Sequence, residues 1–212
     1  MTRVKICGIT ALEDAHLAAD LGAWALGMIF WPKSPRVCPI EQAEAIGAQL
    51  HRRLQLAGVF VNATLDEVAE TADVCHFTLL QLHGDEGPSY CQEAARRTGC
   101  RVIKAARVRD AAQVQALRAY RTDYHLLDAH SQRAPGGTGE SFDWELARLH
   151  PGKPPLILSG GLTPENVGQA IAAAHPFAVD TASGTEAEPG RKDPAKLTAF
   201  FRAVEAAGHV AA

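Results

Sequence analysis

The stretch RVKICGITALEDAHLAADL, Arg3 to Leu21, carries the pattern that decides the fold. Five residues, RVKIC, read as a short strand. A glycine breaks the run at Gly8, and Leu12 to Leu21 then places Ala, Leu and charge at helical spacing. Thr10, three residues before Glu13, has the spacing of a capping box. This is one strand–turn–helix unit.

The unit recurs along the chain. Strand-like runs follow at ALGMIF, LQLAGVFV, TLLQLH, RVIKA, YHLLD, PLILSG and FAVD. Helix-like stretches lie between or after them at 40–50, 65–72, 89–97, 111–119, 144–149, 164–174 and 194–206. Thr64 before Glu67 repeats the capping-box spacing, and Thr163-Pro164 sets a cap before a proline at the first helical position. The runs are almost continuously apolar, which implies strands buried on both faces, as in parallel sheets wrapped by helices.

Eight such units in 212 residues are close to the compact limit of the (β/α)8 barrel. The expected fold is therefore α/β, a single TIM barrel, with residues 1–212 forming one domain. A doubly wound open sheet is the alternative, but CGIT after the first strand lacks the G-x-G-x-x-G turn such sheets usually offer.

Composition narrows the function classes. With 47% hydrophobic and 21% charged residues and a formal charge of −3, the chain has no basic tract for nucleic acid. It has no uncharged run long enough for a membrane span and no apolar leader after Met1, so a cytoplasmic protein is expected. Its five cysteines show no C-x-x-C pair, which gives neither a disulfide framework nor a zinc site. The histidines show no metal-ligand spacing.

A barrel of this kind works at the C-terminal ends of its strands. There the sequence puts Cys7, the stretch Phe30–Arg36, Asn62, His83, Lys104, Asp128, Gly160, Gly161 and Asp180. Cys7 and Asp128 end the first and sixth strands and would face each other across the mouth, a thiol and a carboxyl suited to base and acid. Arg36 could pair with a substrate carboxylate or stay solvated. Glycines at 160–161 and in ASG, Ala182-Ser183-Gly184, follow strands seven and eight, where barrels often hold phosphate. ASGTE could form a short helix there. A further cluster, Gly136, Gly137 and Gly139, follows strand six.

Together the segments VKICGIT, GMIFWPKSPR, AGVFVN, LQLHGDE, GGTGESFDW, LSGGLTPENV, VDTASGTE and PGRKD resemble the phosphoribosylanthranilate isomerase family nearly end to end. The resemblance implies an Amadori rearrangement of N-(5-phosphoribosyl)anthranilate in tryptophan biosynthesis, with no cofactor and no metal. It also implies a monomer or homodimer whose partner is a small phosphorylated aminoaldose. Asp128 would be the general acid and Cys7 the general base, which asks for a thiol drawn toward thiolate. Arg36, His83 and Asp180 would hold substrate, with Arg36 on its carboxylate. Gly160, Gly161, Ala182, Ser183 and Gly184 would cradle phosphate, and Gly136, Gly137 and Gly139 would form a mobile loop beside Asp128. One departure is visible. The family usually reads VDVSSG where this chain has VDTASG, so Ala182 stands in place of a serine.

A related aminoaldose isomerase of the histidine pathway is a rival reading, but it would place an aspartate where this chain has Cys7. An inactive sugar-phosphate binder is another. Retention of both Cys7 and Asp128 speaks against it.

Overall fold

The computed structural model describes residues 1–128 and 144–210. Eight parallel strands, β1 (Arg3–Cys7), β2 (Ala25–Ile29), β3 (Gln55–Phe60), β4 (Leu79–Leu82), β5 (Arg101–Arg107), β6 (Tyr124–Asp128), β7 (Leu156–Ser159) and β8 (Ala178–Thr181), pair in sequence order. Lys5 of β1 against Asp180 of β8 closes the barrel. Each expected strand is present to within two residues. Full burial of both faces explains the unbroken apolar runs that sequence alone displays.

Helices α1 (Leu12–Asp20), α2 (Ile40–Leu50), α3 (Leu65–Val74), α4 (Pro88–Thr98), α5 (Ala111–Ala116), α6 (Val167–Ala174) and α7 (Pro194–Val210) wrap the barrel. The Thr64–Glu67 capping box is complete, each side chain bonded to the other's backbone N–H. Three local expectations are corrected. Thr10 does not cap α1. Its hydroxyl donates to the Gly190 carbonyl instead, and Ala11 occupies the cap position without a side-chain bond. At Thr163-Pro164 the chain makes a turn, with Thr163 N–H donating to Asn166 Oδ1, and α6 begins three residues later than the proline suggests. Residues Trp144–Leu149 form a 3₁₀ helix, not an α-helix.

Beyond β8 the chain adds a feature with no counterpart in the eight repeats. After a 3₁₀ turn at Ser183–Thr185, the short helix expected from ASGTE, β9 (Glu186–Glu188) and β10 (Arg191–Lys192) form a small antiparallel hairpin. Lys192 anchors it from inside. Its buried ammonium donates to the carbonyls of Cys7 and Ala182 and to Glu186 Oε1, so the ends of β1 and β8 are tied to the hairpin by one side chain. Among the described residues, no helix is long and apolar enough to cross a membrane.

Candidate active site

The barrel interior changes character along its axis. At the floor, Ala25, Ala57, Leu79, Ile103, Leu126 and Ile157 form an apolar cluster. Toward the C-terminal ends, inward positions become polar: Lys5 and Cys7 on β1, Gln81 on β4, Asp128 on β6, Ser159 on β7 and Asp180 on β8. Above them opens a cavity of about 210 Å³ whose walls include Cys7, Arg36, His83, Asp128, Gly161 and Ser183. The two residues read from strand ends as base and acid thus share one cavity.

Cys7 is buried, 6% exposed. Burial pushes its thiol above the ordinary range, and the Asp180 carboxylate adds to this, while the ammonium groups of Lys5 and Lys192 and the Gly8 backbone N–H pull the other way. The expectation of a thiol drawn toward thiolate is met only by those cations. In the free protein, burial outweighs them. The thiol packs against Gly27, its register partner on β2. A Cβ at Gly27 would lie 2.9 Å from Cys7 Sγ and 3.0 Å from Lys5 Nζ, so glycine is what leaves room for both groups.

Lys5, wholly buried, donates to Asp180 Oδ1 at 2.8 Å, and Ser159 Oγ donates to Asp180 Oδ2 at 3.1 Å. Burial alone would lower the Lys5 pKa. The facing carboxylate overrides it and holds the ammonium charged. Asp180, expected as a substrate-binding residue, lines the cavity but already has both oxygens engaged by protein.

Arg36 reaches the cavity from the loop after β2. Its Nε bonds both carboxylate oxygens of Glu186 at 2.9 Å, and its terminal nitrogen lies 2.8 Å from Oε2. Burial favours the neutral acid at Glu186, but Arg36 and Lys192 overcome it and hold the carboxyl below its usual range. A chain Lys192–Glu186–Arg36 therefore fixes the guanidinium at the mouth. Gly8, with φ of +74°, serves the same spot: a side chain there would sit 2.8 Å from Arg36 Cδ.

His83 Nε2 stands 3.3 Å from Asp128 Oδ2, and its Nδ1 is 3.1 Å from Gln81 Nε2. Gly160 and Gly161 have φ of +99° and +63°, conformations that L side chains rarely adopt, and with Ala182 and Ser183 they line the cavity beside Asp180. Gly184 is not on that wall. It lets the β8 turn close onto the Leu162 carbonyl, which also accepts from Thr181 Oγ1 at 2.7 Å. Asn62 and Lys104, expected at the rim, serve the loop after β4 instead. Lys104 Nζ donates to the Gly84 carbonyl and to buried Glu86, and Glu86 accepts the Asn62 N–H. Gly136, Gly137 and Gly139 lie outside the described residues. Among the described residues, no three His, Cys, Asp or Glu side chains converge as metal ligands.

Sequence reading passed over Lys5, Gln81, Glu186 and Lys192 as site residues. Lys5 and Gln81 carried a signal, each a polar residue inside an otherwise apolar run. Glu186 and Lys192 had only their place in the TASGTE and PGRKD segments.

A thiol, a carboxyl and a fixed guanidinium around the mouth of a closed parallel barrel, beside glycine turns after β7 and β8, define a (β/α)8-barrel enzyme. The sequence profile of N-(5'phosphoribosyl)anthranilate (PRA) isomerase matches residues 4–203, and the chain belongs to that isomerase family. The N-(5'-phosphoribosyl)anthranilate isomerase of Citrifermentans bemidjiense is 51% identical over 197 residues, covering 93% of this chain and 94% of its own. The crystal structure of phosphoribosyl anthranilate isomerase from Thermotoga maritima superposes with a TM-score of 0.86 at 38% identity, over 97% of this chain and all of that one. A phosphoribosyl anthranilate isomerase structure in complex with reduced 1-(o-carboxyphenylamino)-1-deoxyribulose 5-phosphate is similar at a TM-score of 0.83 and 37% identity, over 97% and 100% of the two chains.

Proposed function

We propose that residues 1–212 act as one domain that converts N-(5'-phosphoribosyl)anthranilate to 1-(o-carboxyphenylamino)-1-deoxyribulose 5-phosphate, a step of tryptophan biosynthesis. The observation that carries this reading is the single cavity lined by Cys7, Asp128 and Arg36 with the glycine turns of β7 and β8. Asp128 gives its proton to the furanose ring oxygen as the C1–O bond breaks, and the amine lone pair forms the Schiff base. Cys7, as thiolate, then takes the proton from C2. The electron pair moves into the imine to give an enolamine, which tautomerises to the ketone. Substrate and product are isomers, so the balance needs no oxidant and no added group.

Arg36 faces the substrate carboxylate with the donors that Glu186 leaves free. The turns at Gly160-Gly161, whose positive φ lets the backbone approach an anion closely, and at Ala182-Ser183 on the same wall take the phosphate. His83 and Asp180 border the sugar. Only the Cys7 thiolate accepts a proton and only the protonated Asp128 donates one, so kcat/KM should follow a bell-shaped pH profile, with burial of the thiol keeping the fraction of the doubly competent form small.

The test is turnover of fluorescent phosphoribosylanthranilate by the purified protein. Cys7→Ala and Asp128→Asn should each lose at least about a hundredfold in kcat. Arg36→Met should mainly raise KM. Full activity in Cys7→Ala would remove the thiol from the mechanism.

A further inference from the structure

Gln81 sits inside the barrel on β4, 1% exposed, and lines the cavity. Its amide nitrogen has a partner, His83 Nδ1 at 3.1 Å, but its carbonyl oxygen Oε1 is buried with no hydrogen-bond partner among the described residues. An unmet buried acceptor costs free energy, and proteins seldom keep one without a use. The nitrogen side has a consequence as well. Since Gln81 Nε2 can only donate, His83 Nδ1 must be the accepting nitrogen, and the neutral ring then carries its proton on Nε2. That nitrogen stands 3.3 Å from Asp128 Oδ2, within reach of a hydrogen bond that it does not make in this geometry.

We infer that Gln81 has two tasks: its amide nitrogen fixes the His83 tautomer whose N–H faces Asp128, and its free carbonyl oxygen accepts a hydrogen bond from a hydroxyl or amine N–H of the substrate. The inference rests on the reading of Asp128 as the proton donor. When Asp128 gives up its proton, the new carboxylate finds the His83 N–H ready to receive it, which favours the deprotonated acid at the moment it forms. With the opposite tautomer, a lone pair would face that carboxylate and oppose the step. Gln81 is thus a positioning residue through His83 and a contact residue through Oε1.

The first experiment measures long-range proton–nitrogen correlations of the histidine rings in the unliganded protein, with His83→Gln identifying the signal among the nine histidines. The expected pattern is an unprotonated Nδ1 and a protonated Nε2. A ring protonated on Nδ1 overturns the inference, whether or not either Gln81 variant folds. The second compares two substitutions of similar length. Gln81→Met loses both polar atoms, so KM should rise and kcat fall, each by about tenfold. Gln81→Glu, with only acceptor oxygens toward His83, keeps an acceptor for substrate but reverses the ring tautomer; kcat should fall while KM stays within about threefold. Unchanged kcat and KM in Gln81→Met would overturn the inference. The tautomer is read without turnover, so an active Asp128→Asn would sink the catalytic reading and leave the ring measurement standing.

Discussion

The floor and the mouth of the barrel are built on the same strands, often two residues apart, and they follow opposite rules. Leu79 at the floor and Gln81 above it occupy one face of β4, as Ile157 and Ser159 do on β7 and Ala178 and Asp180 on β8. The floor gains stability from each apolar group taken from water. The mouth buries Lys5, Asp180, Glu186 and Lys192, whose desolvation is offset only while every charge keeps its partner. The floor therefore tolerates imperfection in proportion to volume, whereas the mouth fails wherever one partner is removed.

The largest break in that comparison is Lys5→Met. It should cost about 3–5 kcal/mol, because Asp180 is left as an uncompensated buried carboxylate. Denaturant unfolding measures it. The thiol should also become harder to ionise, since the Lys5 ammonium is one of two cations drawing Cys7 down; site-resolved alkylation at fixed pH should slow. Adding Asp180→Asn should recover part of the stability and, because the Asp180 carboxylate itself raises the Cys7 thiol, part of the thiol reactivity as well. At the floor, Ile157→Ala should cost about 2–5 kcal/mol through its cavity and leave KM unchanged. Equal loss of thiol reactivity in both variants would show that the mouth responds to packing alone and not to charge.

A smaller effect sharpens the comparison on the outer wall of β6. His125, three residues before Asp128, points away from the cavity toward His150, with Nδ1 and Nε2 2.9 Å apart. Gly152 N–H donates to His150 Nδ1, so His150 donates through Nε2 to His125, and His125 donates through Nε2 to the Tyr120 carbonyl. The relay works only with both rings neutral. Burial, then the neighbouring His125, lowers His150 from 6.5 to about 4, and burial lowers His125 too. An unfolded chain binds these protons at higher pH than the folded one. Stability should therefore be full above pH 6.5 and fall as pH drops toward 4, by on the order of 2 kcal/mol. Urea unfolding of the native chain and His150→Gln at pH 7 and pH 4.5 checks this. The variant should lose much of the pH dependence, and the same slope in both would remove the relay from the acid sensitivity.

The contrast also explains which parts could be read in advance. Periodicity reports burial, so β1–β8 were visible as apolar runs, and Cys7 and Asp128 were visible because a strand end is where such a run stops. Lys5 stood out in its run, but its burial was not legible by the same logic. A charged residue inside RVKIC looks like solvent exposure in a one-dimensional pattern, and only its pairing with Asp180, 175 residues away, makes burial tolerable. Arg36 was legible as a cation near the rim, but Glu186, which holds it, lies 150 residues on in a hairpin with no counterpart in the repeats. Thr10 failed as a cap for a related reason: a distant carbonyl at Gly190 competed for its hydroxyl and won.

The smallest expected effect concerns Ala182, where the family resemblance leads one to expect a serine. The residue lines the cavity at φ of −122°, so a serine fits there without backbone strain. Its carbonyl is already held by the Lys192 ammonium at 3.1 Å, and Ser183 beside it supplies a hydroxyl at the same wall. The path of the turn is thus set by Lys192 and by the glycines at 160, 161 and 184, whatever side chain stands at 182. One added hydroxyl at a partly exposed position is worth a fraction of a kcal/mol, so Ala182→Ser should lower KM by no more than about threefold and leave kcat unchanged. A drop of tenfold or more would make that hydroxyl a principal phosphate ligand and shift the weight of the cradle from backbone to side chains.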